Sequence, residues 1–166
     1  MFDNVLLPID LTHPESWEKA LPLAVKMCGG GGTLHVLAIV HDVGSAMVAS
    51  YLPKDFEEKA LQGAKADLDA FVETEVPEGT KAVAHVGHGH VPEHILSAAE
   101  DVAADVIVIA AHPPSELRTF LVGSHVGKVV RHATRPVLVV RGGVIRRRGV
   151  PLPAPVRRRR GSGWCC

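Results

Sequence analysis

The stretch ADVIVIA at residues 104–110 contains an unbroken apolar run that is rich in β-branched side chains. A run of this length and composition is typical of a strand buried on both faces, as in the middle of a parallel sheet. Helical patterns precede and follow it, which is what the crossovers between parallel strands require. The stretch therefore predicts a parallel sheet with helices packed on it.

Four more segments have the character of strands, and helical patterns separate them. The predicted strands cover residues 5–9, 34–40, 81–86, 106–110 and 136–140. Between them, apolar residues recur every three or four positions, as in amphipathic helices. This order predicts an α/β fold, namely a five-stranded, mostly parallel, open sheet of Rossmann-like type with helices on both faces.

The first helix has start and stop signals of its own. The sequence Thr12-His13-Pro14-Glu15 has the pattern of a capping box with an early proline, which predicts that a helix begins there. Four consecutive glycines, residues 29–32, follow the last apolar position of this helix and predict its end.

Ligands of such sheets bind beyond the carboxyl ends of the strands, where the strand order changes direction. The segment from Ala110 to Ser124 is the strongest candidate, because it leaves a buried strand and enters a helix at Gly123-Ser124. The N–H groups and the dipole at a helix N-terminus can receive an anion. Taken alone, a Gly-Ser pair before a helix favours ordinary capping by Ser124, whose hydroxyl could also donate to a phosphate oxygen.

Several ordered segments together resemble the universal stress protein family. They are VLLPID at 5–10, ADVIVIA at 104–110, LVGS at 121–124, VVRHA at 129–133 and PVLVVR at 136–141. The resemblance covers residues 1–141, so we expect a domain there and a basic Arg/Pro/Gly-rich tail at 142–166. It implies a small bacterial member that binds ATP and acts in the stress response through nucleotide-dependent dimer or partner interactions.

The candidate loop departs from the pattern Gly-x2-Gly-x9-Gly-Ser of nucleotide-binding members. Ala110 and Pro113 replace the two leading glycines. The side chain of Ala110 narrows the space in which a ligand can approach the backbone, and Pro113 has no backbone N–H to donate. Residues 119–124 instead resemble a subgroup with a proline-containing loop, whose members can still bind adenine nucleotides. A protein-interaction module of the same fold that binds no nucleotide, and a weak ATPase, are the alternatives.

The resemblance also implies roles for individual residues in binding ATP or another adenine nucleotide, with or without Mg²⁺. Asp10 would contact the ribose or a water on the metal–phosphate group, Ile39 would flank the adenine, and Ser124 would hold phosphate. The alternatives are a turn residue for Asp10 and a core residue for Ile39. The whole predicted set is Pro8, Ile9, Asp10, Ile39, Ala110, Ala111, His112, Arg118, Gly123, Ser124 and His125.

Other chemistry has weaker support in the sequence. His85, His88, His90 and His94 crowd one predicted strand-to-helix turn, and the last three are candidate ligands for zinc or nickel, with exposed turn residues as the alternative. Serine and histidine do not occur in a triad pattern, so we expect no catalysis beyond slow ATP hydrolysis.

The formal net charge of zero hides a strong asymmetry. Residues 1–140 contain all 18 acidic residues and ten of the 18 basic ones, a charge of −8, whereas residues 141–166 carry +8. The tail could attract polyanions without specificity, pair with the acidic domain, or be an unrelated extension. Trp164 is the one aromatic residue near the arginines, so we expect no specific nucleic-acid function.

Composition also bears on location and assembly. The chain has no apolar run near the roughly 20 residues of a membrane span, no basic start of a signal peptide, and too few cysteines for a disulfide framework. We therefore expect a cytoplasmic protein without a membrane span. The last strand, from Pro136 to Val140, is an apolar edge, and the family resemblance implies a homodimer through it.

Overall fold

The structure, a computed structural model, describes residues 1–40, 56–111 and 124–141. Strands and helices alternate along these residues, and a short 3₁₀ turn, Pro14–Ser16, precedes the first helix. The elements are β1 (Asn4–Ile9), α1 (Ala20–Cys28), β2 (Thr33–Val40), α2 (Phe56–Glu75), β3 (Lys81–His88), α3 (Val91–Asp101), β4 (Val106–Ala111), α4 (Ser124–His132) and β5 (Val137–Arg141). The predicted α/β class is confirmed.

The five strands form one sheet in the order β3-β2-β1-β4-β5, and every neighbouring pair is parallel. The chain first builds outward from β1 to β3 and then crosses back to β4. The winding direction therefore changes between β1 and β4, which makes this the switch point of the sheet. The prediction of a mostly parallel sheet is confirmed, with no antiparallel strand among the described residues.

Pairing at the switch point is confined to the amino ends of the strands. β1 pairs with β2 from Asn4 to Ile9, but its register with β4 covers only Val5 and Leu6. Pro8 follows in β1 and has no N–H to donate to a neighbouring strand. The sheet thus has a gap in pairing toward its carboxyl edge, between the end of β1 and the end of β4.

Alternate residues of β1 serve two cores on opposite faces of the sheet, as the period of a strand requires. Val5 and Leu7, both fully buried, pack in the first core with Leu68 of α2. Leu6 packs in the second core with Ile95 of α3. Helices α1 and α2 thus cover one face of the sheet, and α3 and α4 cover the other. The prediction of helices on both faces is confirmed.

The predicted start of the first helix is wrong. The Thr12 hydroxyl donates to the Asp10 carboxylate instead of capping a helix, and the 3₁₀ turn has no side-chain cap. Residues 17–19 form a further turn, and α1 begins only at Ala20. The Asp10 carboxylate, which is ionised, forms a strong charge-assisted hydrogen bond with the Thr12 hydroxyl, and this bond holds the Thr12 side chain in the turn after β1 rather than at the start of a helix.

Candidate functional site at the switch point

Asp10 and Ala111 flank the gap between β1 and β4. Asp10 directly follows β1, and Ala111 is the last residue of β4. Pro8 and Ile9 are buried in the strand that leads to Asp10, while Ala110 is half-buried and Ala111 is buried. Ala110 and Ala111 carry only methyl side chains, and with Asp10 they border this gap in pairing, the crevice of the candidate site.

The Asp10 carboxylate organises the turn that follows β1. Its Oδ1 accepts the backbone N–H of Thr12 at 2.9 Å and the Thr12 hydroxyl at 2.6 Å. Its Oδ2 lies 2.9 Å from Nδ1 of His13. The Ser16 hydroxyl accepts a hydrogen bond from the backbone N–H of Asp10 and donates one to the Asp10 carbonyl, each at 2.9 Å. These two bonds link the backbone of Asp10 to the 3₁₀ turn. Asp10 therefore has the predicted alternative role of a turn residue.

These hydrogen bonds determine the ionisation of Asp10 and the tautomer of His13. Partial burial raises the pKa of Asp10, but hydrogen bonds from Thr12 and His13 outweigh it and hold that pKa below its ordinary value. The ionised carboxylate requires a proton on Nδ1 of His13. Nε2 of His13 is then a base in the neutral ring and a donor in the charged ring, and the ring is mostly exposed.

Two other predicted residues have a less direct relation to the crevice. Ile39 lies in β2 and packs against the second core, which agrees with its alternative as a core residue. Ser124 is the first residue of α4, and His125 is exposed in the first turn of that helix. The remaining members of the predicted set, His112, Arg118 and Gly123, lie outside the described residues.

The histidines of the predicted turn do not form one cluster. His88 ends β3, His90 precedes α3, and His94 lies in the first turn of α3, with its Nδ1 only 3.2 Å from where a Cβ on Gly87 would lie. His85 lies within β3, inside the predicted strand at 81–86, and His88 belongs to β3 because the strand continues two residues beyond that predicted end. Among the described residues, no three His, Cys, Asp or Glu side chains are placed to hold a metal ion.

His85 instead joins a hydrogen-bonded chain that crosses three strands. Its Nε2 lies 2.9 Å from Nδ1 of His35 on β2, and Nε2 of His35 lies 3.2 Å from Oδ1 of Asn4 on β1. Because the amide oxygen can only accept, neutral His35 carries its proton on Nε2 and accepts a hydrogen bond from His85. The sequence offered no sign of this pair, since His35 and His85 are 50 positions apart.

We expect this pair to make the domain less stable in acid. Partial burial lowers the pKa of both His35 and His85. The charges of His85 and Lys81 lower the pKa of His35 further, and the charge of Lys65 lowers the pKa of His85 further. As the pH falls below about 6.5, these two histidines take up protons in the unfolded chain before they do so in the folded chain. The free energy of unfolding is therefore largest above about pH 6.5 and declines as the pH falls toward the lowered pKa values of the folded state. Thermal unfolding between pH 7.5 and 5 checks this.

The control for that experiment is the exposed His132. The double variant His35→Gln/His85→Gln should show a shallower loss of melting temperature in acid than the wild-type chain, whereas His132→Gln should follow the wild type. An acid slope that the double variant leaves unchanged would contradict the assignment.

Comparisons with known proteins agree with the observed fold. The model of the Universal stress protein family matches residues 1–141. Universal stress protein G of Escherichia coli O157:H7 is 31% identical over 143 residues, which cover 85% of this chain and 100% of that protein. The Salmonella typhimurium protein of the same name is 32% identical over 143 residues, with the same coverage.

Solved structures share the fold at lower identity. Universal stress protein UspA from Lactobacillus plantarum superposes with a TM-score of 0.59 at 24% identity, covering 83% of this chain and 97% of that one. A universal stress protein crystallised in complex with cAMP has a TM-score of 0.54 at 18% identity, covering 86% and 98%. In the described part of this chain, no helix is long and apolar enough to cross a membrane. With the family model matched from residue 1 to 141 and relatives matched over their full length, the chain belongs to the universal stress protein family.

Proposed function

We propose that this universal stress protein binds an adenine nucleotide, ATP in the first place, in the crevice between β1 and β4, with or without Mg²⁺. The observation that carries the proposal is the position of Asp10 and Ala111 on either side of the switch point. Ligands of open parallel sheets bind at this position. A structural relative with the same fold was crystallised with cAMP, which supports an adenine nucleotide as the ligand class.

The residues at this edge offer complementary groups for such a ligand. The ionised Asp10 carboxylate, held by Thr12 and His13, can accept a hydrogen bond from a ribose hydroxyl or a metal-bound water. The first turn of α4, from Ser124, presents backbone N–H groups that suit a phosphate. Ala110 and Ala111, at the end of β4, have no side-chain atoms beyond Cβ that would extend into the crevice.

The biological role that follows is regulatory, in the cytoplasm and in the stress response. We propose that the nucleotide alters the binding of a second copy or of a protein partner, and that residues 1–141 form the working domain. β5 supports a homodimer, because it is an edge strand whose residues from Val137 to Val140 are all apolar. Such an edge is a template for pairing with another chain.

Calorimetric titration with ATP tests the nucleotide site. We expect micromolar binding by the wild-type chain and a loss of about tenfold or more in Asp10→Ala and in Ser124→Ala, since each removes a hydrogen bond to a charged or polar ligand group. The matched controls are Asp101→Ala and Ser97→Ala, which change exposed residues of α3. Both should bind ATP like the wild type.

Two results would contradict the proposal. One is millimolar or absent binding of ATP by the wild-type chain. This result would favour the alternative, a protein-interaction module that binds no nucleotide, which the replacement of a glycine by Ala110 already suggests. The other is equal loss of affinity in the α3 controls, which would mean that the crevice has no special part in binding.

A further inference from the structure

The hydrogen-bonded pair His35 and His85 lies on the face of the sheet that α3 and α4 cover, but outside the part of that face that these helices bury. Leu37, two residues after His35 in β2 and in register with His85, is buried in the second core. Both histidines, in contrast, are only half-buried. Val83, which is in register with His35, is 37% exposed. Solvent therefore reaches the two rings at this corner of the sheet.

The two imidazole rings each direct one nitrogen atom at the same place. Nδ1 of His35 and Nε2 of His85 are 2.9 Å apart, and the ring centres are 5.2 Å apart. Nε2 of His35 donates its proton to the amide oxygen of Asn4, so Nδ1 of His35 has a free lone pair. When His85 carries its proton on Nδ1, its Nε2 directs a second lone pair at the same place. A metal ion can then occupy the position of the proton that the two rings otherwise share.

The spacing of the rings fits a tetrahedral metal ion. A zinc–nitrogen bond is about 2.0–2.1 Å long, which puts the centre of each imidazole ring about 3.2 Å from the metal. Two ring centres 5.2 Å apart then subtend an angle of about 109° at the metal, which is the angle between tetrahedral ligands. The two nitrogens would separate to about 3.3 Å, and a tilt of the rings about their centres achieves this without movement of either strand.

The charges around the pair favour metal binding in one respect and limit it in another. A metal ion binds neutral imidazole, and partial burial lowers the pKa of both rings, which keeps them neutral at neutral pH. The charge of Lys81 near His35 and that of Lys65 near His85 lower these pKa values further, and they repel a metal cation for the same reason. The ion pair of Lys65 with Asp69 offsets part of this repulsion. We therefore expect a site of moderate affinity.

We propose that His35 and His85 bind a divalent metal ion that prefers imidazole nitrogen, Zn²⁺ in the first place, and that Asn4 positions His35 for it. Metal-binding histidines commonly donate their other ring N–H to a carbonyl or a carboxylate in this way. Among the described residues no third histidine, cysteine or carboxylate completes the site, so water takes the remaining positions. The ion would link β2 to β3 and, through Asn4, to β1. The site is separate from the crevice, since Asn4 begins β1 whereas Asp10 follows its end.

Calorimetric titration of the metal-free, full-length chain with ZnCl₂ at neutral pH tests the proposal. Cys165 and Cys166 are replaced by serine in the reference chain and in every variant, so that their thiols do not bind the ion. We expect a Kd of about 50 µM, because two protein ligands and water hold zinc far more weakly than the four ligands of a closed site. MgCl₂ should not compete for the site, since Mg²⁺ prefers oxygen ligands.

Substitution of the ligands should remove the binding. The double variant His35→Gln/His85→Gln should lose about tenfold or more in zinc affinity, because no nitrogen ligand remains at the site. Asn4→Ala should weaken binding by about tenfold, since it leaves the ring of His35 free to turn. The matched control His90→Gln/His132→Gln removes two exposed histidines elsewhere and should bind zinc like the reference chain.

Lys81→Gln tests the proposal through a gain in affinity and does not touch the core. The residue is exposed, and the change removes a positive charge near His35. Zinc should then bind about twofold to threefold more tightly. Lys26→Gln, an equal change of charge at an exposed position of α1, should have no effect. This comparison stays decisive even where circular dichroism shows that the double histidine variant does not fold.

Four results would overturn the proposal. They are zinc binding by the reference chain that is weaker than millimolar, equal affinity in the reference chain and a folded double histidine variant, an equal loss in the matched histidine control, and a zinc affinity that Lys81→Gln leaves unchanged. Competition by MgCl₂ at equal concentration would also overturn it, because it would indicate binding by carboxylates. None of these results bears on the nucleotide crevice, which the titration with ATP tests separately.

Discussion

Gly32→Ala is expected to lower the free energy of unfolding by about 3 kcal/mol, because the added methyl group would meet backbone on two sides. A Cβ at this position would lie 2.4 Å from the carbonyl oxygen of Phe2 and 2.7 Å from that of Cys28. Neither atom belongs to a flexible side chain, so the end of α1 and the start of the chain would have to shift. Urea unfolding followed by circular dichroism measures the loss.

Gly31→Ala is the matched control for this substitution. No atom lies within 4 Å of a Cβ at Gly31, and the residue is exposed. The change should leave stability within about 0.5 kcal/mol, or raise it slightly by restricting the unfolded chain. Equal losses in the two variants would mean that the glycines act only through chain flexibility, contrary to the close approach seen at Gly32.

The glycine run shows what a sequence pattern could and could not predict. Four consecutive glycines predicted the end of a helix, and α1 does end at Cys28 with Gly29 in the left-handed region at φ 59°. The pattern could not distinguish the four positions, because the closest contact of a Cβ at Gly32 would be with Phe2, thirty residues earlier. The fold class was predictable from local periodicity, whereas close packing depends on residues that are distant in sequence.

The same limit applies to the candidate site. The position of Asp10 was predictable, because it follows an apolar strand in an alternating α/β pattern. Its partners were not, since Thr12 fits a capping box as well as it fits a hydrogen bond to a carboxylate. The pairing of His35 with His85 depends on the register of β2 with β3, which apolar patterns leave unspecified.

Leu138→Lys is expected to dissociate the proposed homodimer. Leu138 lies in the edge strand β5 and is 38% exposed in the single chain, between apolar neighbours Val137 and Val139. In a twofold interface one substitution acts twice, so two lysines would be brought into an apolar contact. We expect a loss of about 3 kcal/mol in dimer stability, or about 100-fold in the dissociation constant. Light scattering after size exclusion, over a range of micromolar concentrations, measures it.

The opposite edge of the sheet provides the control. Val83 lies in the edge strand β3 and is 37% exposed, nearly as much as Leu138. Its neighbours include Lys81 and His85, and charged or polar side chains of this kind discourage pairing between edges. Val83→Lys should therefore leave the dimer intact. A wild-type chain that is monomeric at micromolar concentration, or a dimer that Val83→Lys disrupts and Leu138→Lys does not, would rule out assembly through β5.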